Sequence, residues 1–66
     1  MKKLYIALLG ESLENELVEN HRVVYVVAEN IAQAKEIAKL KWETFGVHID
    51  GIKVLEEVDG YKIILK

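Results

Sequence analysis

The chain has 66 residues, enough for one small domain, and no cysteine, which excludes disulfides and thiolate metal sites. Its formal net charge is −2, from 9 basic and 11 acidic side chains, which argues against a nucleic-acid-binding protein because such proteins carry a basic surplus. Hydrophobic residues make up 52% of the chain, although a domain of this size buries only about 60% of the surface that its unfolded chain exposes. We therefore expect a homodimer or a higher homo-oligomer.

Two segments near the start of the chain predict β-strands. Residues 3–9, KLYIALL, are apolar on both faces, as is typical of a central strand that is covered on both sides. Residues 22–28, RVVYVVA, predict a second strand because valine and tyrosine favour pleated structure. The first apolar run is too short for a secretory signal or a membrane span, so we expect a cytoplasmic protein with no membrane contact.

The acidic segment of residues 11–20, ESLENELVEN, separates these two strands. Its apolar side chains are Leu13, Leu17 and Val18, whose spacing allows one helical turn. We interpret the segment as a solvated connecting loop, with a lid or binding loop as the functional alternative.

A helix is predicted over residues 30–45. Asn30 is a favourable N-cap, and Gln33 stands three residues later, where a capping box has Glu or Gln. Gly46 is suited to the left-handed conformation that closes a helix. One apolar stripe recurs at helical spacing, formed by Ile31, Ala34, Ile37, Ala38, Trp42 and Phe45.

The last part of the chain, residues 47–65, predicts a β-hairpin. Asp59-Gly60 lies between two apolar-rich runs, and both central residues of a type I′ turn need a positive φ. This turn predicts a register in which Val58 faces Tyr61 and Leu55 faces Ile64.

Together the elements predict an α+β fold, a single ββαββ domain with a mixed four-stranded sheet and one helix on one face. The helix joins strands 2 and 3, which favours a right-handed crossover with those two strands parallel. The opposite face also carries apolar side chains, and we expect a second copy to pack there. The predicted contact residues are Leu55 and Ile64, with Tyr5 or Tyr25 as candidate aromatic anchors.

Several short blocks resemble a known family. The blocks are Leu9-Gly10, an acidic-His stretch at residues 19–21, HID at residues 48–50 and VDGY at residues 58–61. With these blocks, nearly the whole chain is similar to a small bacterial family known only as a domain of unknown function, DUF1543. The resemblance implies that such domains occur singly or as two tandem copies, and it implies no activity.

The chain departs from the family pattern at two positions. Glu11 stands where the family tends to have a second Gly, and Arg22 stands where it tends to have an Asp after the His. Any site that depends on that Gly or that Asp is therefore in doubt in this chain.

One constellation carries candidate chemistry, formed by His21, His48 and Asp50. Imidazole and carboxylate are ordinary ligands for zinc and other divalent metals, and a His beside an Asp also suits a general base. The structural alternative is that His48 and Asp50 hold the start of strand 3 through hydrogen bonds to the backbone.

We interpret the protein as a homo-oligomeric interaction or scaffold module with no catalytic activity or cofactor of its own. The alternative is a small-ligand or divalent-metal-binding protein, weakly enzymatic at most, that uses His21, His48 and Asp50. The sequence does not identify a protein or small-molecule partner.

Overall fold

The computed structural model describes residues 1–11, 20–42 and 46–66 and has an α+β architecture. The predicted acidic loop therefore lies almost entirely outside the described residues. The described elements, in chain order, are β1 (Lys3–Glu11), β2 (Asn20–Ala28), α1 (Ile31–Leu40), β3 (Val47–Leu55), β4 (Glu57–Val58) and β5 (Tyr61–Lys62).

The first three strands form an antiparallel sheet in the order β2-β1-β3. β1 is the central strand, as its apolar pattern predicted. β2 and β3 both run antiparallel to β1, so they point in the same direction, with β1 between them. The helix thus connects two edge strands of the same sheet.

The helix begins as predicted and ends earlier. Asn30 is the N-cap, and its side-chain oxygen accepts a hydrogen bond from the Gln33 backbone N–H at 2.8 Å. The Gln33 side chain reaches back and accepts from the Glu29 N–H, also at 2.8 Å. The helix stops at Leu40, whereas residues 43–45 lie outside the described ranges. Gly46 does have a positive φ, 74°, but it leads into β3 and does not directly follow the helix.

The core lies between the helix and one face of the sheet. Ala34 and Ala38 are fully buried, and these small side chains let the helix backbone approach the strands closely. Leu9 and Val26 are the largest fully buried side chains. Val47, Ile49, Ile52 and Val54 pack against this core from β3.

Tyr5 belongs to this covered face. It is only 6% exposed, and its register partners, Val26 and Val54, also pack under the helix. Because residues in register across a sheet share a face, Tyr5 is not on the uncovered surface where we expected an aromatic anchor.

The second face of the sheet, opposite the helix, is largely apolar and exposed. We call it the open face. Tyr25 is 56% exposed and Val23 is 52% exposed on it. It consists of Leu4, Ile6 and Leu8 from β1, Val23, Tyr25 and Val27 from β2, and Lys53 and Leu55 from β3.

The predicted hairpin forms, but it does not belong to the main sheet. Asp59 and Gly60 both have positive φ values, 54° and 83°, as the type I′ turn requires. Val58 pairs with Tyr61 as predicted.

The expected four-stranded sheet is replaced by a three-stranded sheet and a separate two-stranded ladder. The regular strand stops at Glu56, and Leu55 pairs with Leu4 of β1, although we expected it to pair with Ile64. Because β1 begins at Lys3, the residue opposite Glu56 in this register, it offers no partner to the residues after Glu56. Those residues pair only with the returning segment, whose last backbone bond runs from the Ile63 N–H to the Glu56 carbonyl at 2.9 Å.

Within the described ranges, no helix is long and apolar enough to cross a membrane.

Candidate functional site

Two histidines lie in one row across the main sheet. His21 on β2 and His48 on β3 are both in register with Gly10 of the central strand. Gly10 follows Leu8 by two residues on β1, so the row lies on the same side as the open face. Gly10 itself is buried and has no side chain, so the two imidazoles lie on either side of it with no side chain of β1 between them.

A β-bulge brings Asp50 to this row. Gly51 is opposite Leu8 and Ile49 is opposite Leu9, so Asp50 is an extra residue with no partner in β1. A bulge bends its strand and changes the direction in which the neighbouring side chains point. Here the bulge places the Asp50 carboxylate within reach of both imidazoles.

The carboxylate of Asp50 contacts both rings, each through a different oxygen. His21 Nε2 lies 2.9 Å from Asp50 Oδ2, and His48 Nε2 lies 3.0 Å from Asp50 Oδ1. His48 Nδ1 is 3.3 Å from the Gly46 carbonyl oxygen. A neutral imidazole has a single N–H. His48 therefore donates to Asp50 Oδ1 and to the Gly46 carbonyl oxygen at the same time only as the imidazolium.

The three residues singled out from the sequence are therefore brought together, and all three are partly exposed to solvent. The bond from His48 to the Gly46 carbonyl is of the structural kind that we considered, since it holds the start of β3. The contacts of Asp50 go to the two side chains and tie the edge strands β2 and β3 together across β1.

The described residues contain no group of three or more His, Asp and Glu side chains arranged to hold a metal ion. In the observed arrangement the Asp50 carboxylate occupies the space between the two imidazoles. A metal at this place would require the Asp50 side chain to turn, so that one of its oxygens and the two Nε2 atoms converge on one point.

A shallow apolar depression of about 340 Å³ lies on the open face beside the histidine row. Leu8 and Val23, the pair next to Gly10 and His21 in the register, form part of its lining. Gly51 lines it from β3, directly after the bulge. The polar row and the apolar face are thus continuous.

The structure places three of the four predicted interface residues where a second copy can reach them. Tyr25 and Leu55 are on the open face, and Ile64 follows the hairpin with 76% of its surface exposed. Tyr5 is the exception, because it is buried under the helix.

Both edge strands carry features that hinder strand pairing. The Lys41 ammonium donates a hydrogen bond to the Tyr25 carbonyl oxygen on β2. The Arg22 guanidinium lies over the Trp42 ring, 4.8 Å from its centroid, also beside β2. On the other edge, β3 carries the bulge at Asp50. Lysines and bulges at sheet edges both discourage edge-to-edge association.

Sequence reasoning did not find these edge contacts or the role of Gly10. The position of Gly10 between the histidines depends on the register of β1 against its neighbours, and the contacts of Lys41 and Arg22 depend on how the end of the helix packs beside β2. The one available signal was the β-propensity of both runs, and it does not specify a pairing.

The profile of the family described as Domain of Unknown Function (DUF1543) matches residues 16–65, which is more than half of the chain. The matched part contains His21, His48 and Asp50 as well as the helix and the hairpin. No curated protein and no solved structure matches the chain.

Proposed function

This chain belongs to the DUF1543 family, a domain of unknown function, and we propose that it is a homodimeric interaction module without catalytic activity of its own. Two copies pack through the open face of the main sheet. The observation that carries this proposal is the exposure of Tyr25, Val23 and Leu8 together on one side of a three-stranded sheet. Contiguous apolar surface rimmed by polar residues marks interaction sites in small proteins.

The size of the domain supports the same conclusion. One helix of ten residues covers one face of the sheet, and its buried side chains are mostly small. Domains of fewer than about 70–80 residues rarely obtain sufficient stability from one core, and association is a common remedy. Packing the open faces of two copies adds a second apolar layer on the uncovered side.

The edges of the sheet favour face-to-face packing over strand pairing. The Lys41 ammonium is bound to a backbone carbonyl of β2, and β3 is interrupted by the bulge at Asp50. A second copy that added a strand at either edge would have to displace these features. The open face has no such obstacle.

The test is the solution mass by light scattering over a dilution series. We expect a dimer that dissociates on dilution, and Tyr25→Ser should raise its dissociation constant about thirty-fold, as for a buried aromatic anchor. Leu40→Ser is the matched control, because Leu40 is an exposed apolar residue on the helix, away from the open face. A monomer at every concentration, or equal effects of the two substitutions, contradicts the proposal.

A second candidate function is the binding of a divalent metal or another small ligand at His21, His48 and Asp50. The observation that favours it is the convergence of the two imidazoles on the Asp50 carboxylate. The bond between His48 Nδ1 and the Gly46 carbonyl is of the type that orients metal-ligating imidazoles, and it leaves Nε2 directed at the site.

Zinc titration of the chelator-treated protein tests this candidate. If it is right, Zn²⁺ raises the unfolding temperature of the native chain and has no such effect on Asp50→Asn, which keeps the size of the side chain but loses the charge. Asp59→Asn is the control, since Asp59 lies in the hairpin turn. Equal responses of the native chain and Asp50→Asn would contradict metal binding at this cluster.

A further inference from the structure

The β4–β5 hairpin stands apart from the rest of the fold. We call residues 57–66 the hairpin arm. Its two strands form their own ladder, and they make almost no contact with the helix or the main sheet. The radius of gyration is 13.4 Å, whereas a compact domain of this length has about 11 Å. The longest dimension, 43 Å, is almost twice the next one, 23 Å.

The arm exposes large apolar side chains. Tyr61 is 78% exposed, Ile64 is 76% exposed and Val58 is about half exposed. An isolated two-stranded hairpin is marginally stable at best in water, because it has no layer to pack against. The arm therefore has apolar surface, and a need for support, that its own chain does not meet within the described residues.

A cleft lies beside the base of the arm. Its volume is about 550 Å³, and it separates the first residues of the chain from the returning segment of the hairpin. Leu4, Leu55 and Ile63 line it, and Leu4 and Leu55 form the last row of the open face. The rim carries both signs of charge, with Lys2 on one side and Glu57 on the other. The cleft is thus continuous with the surface on which we propose that two copies pack.

We propose that each copy inserts its hairpin arm into the cleft of the other, so that the two arms clasp the dimer reciprocally. This inference rests on the proposed dimer and states which segment secures it. A second copy would support the arm and fill the cleft at the same time. The arm and the cleft lie on one continuous surface, and a two-fold axis places the arm of each copy against the cleft of the other. Charge is compatible with this pairing, because the cleft is lined by both Lys2 and Glu57, so that a two-fold axis can bring Glu57 of one copy to Lys2 of the other.

The first test compares Tyr61→Ser with the control Leu40→Ser by light scattering. Tyr61 is largely exposed and contributes little to the fold of one chain. We therefore expect unchanged circular dichroism and a dissociation constant at least ten-fold higher for Tyr61→Ser, with no change for Leu40→Ser. An unchanged dissociation constant for Tyr61→Ser overturns the clasp.

The second test uses the absence of native cysteine. Copies carrying Lys2→Cys are mixed with copies carrying Glu57→Cys under mild oxidation. A mixed disulfide forms readily only when the two Cα atoms come within about 7 Å. Lys35→Cys, on the exposed side of the helix, replaces Glu57→Cys in the control mixture. A higher yield of the mixed disulfide than in the control supports the clasp, whereas equal yields overturn it.

The two proposals fail in different ways. A chain that is monomeric at all concentrations overturns both the dimer and the clasp. A dimer that Tyr25→Ser dissociates and Tyr61→Ser leaves intact overturns the clasp alone, because the open face is then sufficient.

Discussion

Gly60 shows most directly how one residue determines local structure in this chain. Its φ is 83°, a conformation that L side chains rarely adopt, and no atom lies within 4 Å of the position that a Cβ would take. The effect of a substitution is therefore a backbone effect and not a clash. We expect Gly60→Val to cost the hairpin about 2 kcal/mol, at the upper end of the usual range for the left-handed region, because valine is β-branched.

Amide hydrogen exchange measures this change. Because β4 and β5 scarcely contact the main sheet, the Ile63 amide that bonds to Glu56 should exchange faster, and the amides of β1 should keep their protection. Gly51→Ala is the control, since Gly51 also has free space around its Cβ position but no positive φ. We expect that control to change stability by less than about 0.5 kcal/mol. Equal loss of protection in β1 and in the arm would show that the hairpin is part of the core.

The cluster of His21, His48 and Asp50 illustrates how far single residues can be interpreted from sequence. Their residue types suggested a common site, and the structure brings them together. The residue types did not predict the bulge at Asp50 or the row through Gly10. These arise from long-range strand register, which no local pattern in the chain specifies.

At the scale of elements, β1 contributes to the core with one face and to the exposed open face with the other. Leu9 is fully buried under the helix, whereas Leu8 is 38% exposed on the open face. We expect Leu9→Ala to lower the free energy of unfolding by about 2–5 kcal/mol, as for a fully buried leucine. Leu8→Ala is the matched control on the neighbouring residue, and we expect a loss of about 1 kcal/mol.

Urea denaturation under conditions where the chain is monomeric measures both values. At higher concentrations Leu8→Ala should show an added loss, because the proposed dimer buries the open face. Equal losses for the two variants in the monomer would mean that the open face is covered within one chain.

Local sequence signals predicted the helix start and the hairpin turn correctly, but they did not predict which side of a strand is buried or which strands share a sheet. The Asn30 cap and the Asp59-Gly60 turn are local signals, and both are confirmed. The face of Tyr5 was wrong, because residues 4–9 and 23–28 are hydrophobic at every position and alternation then does not distinguish the two sides. The four-stranded sheet was expected because both hairpin strands were assigned to one sheet with the first two, whereas the regular strand is interrupted at Glu56.

At the scale of the molecule, the described fold leaves three apolar surfaces without internal partners: the open face, the hairpin arm and the cleft between them. One helix cannot cover them, because it lies on the other side of the sheet. A second copy that packs on all three would convert an elongated chain into a two-layered dimer with the apolar surface inside. Composition alone led us to expect a partner, but the location of the exposed apolar surface required the register of the strands.

The concentration dependence of thermal unfolding tests this assembly as a whole. Unfolding entropy is about 2.1 cal/mol/K per residue, so a tenfold increase in protein concentration should raise the unfolding temperature of a dimer of this chain by roughly 5 °C. The shift arises because dilution favours the separated, unfolded chains. A chelator should not alter it if the dimer is the source of stability, whereas a resident metal would make the temperature fall with chelator at fixed concentration. An unfolding temperature that is independent of concentration, measured by calorimetry across two decades, would mean that the chain is stable as a monomer and would contradict the dimer.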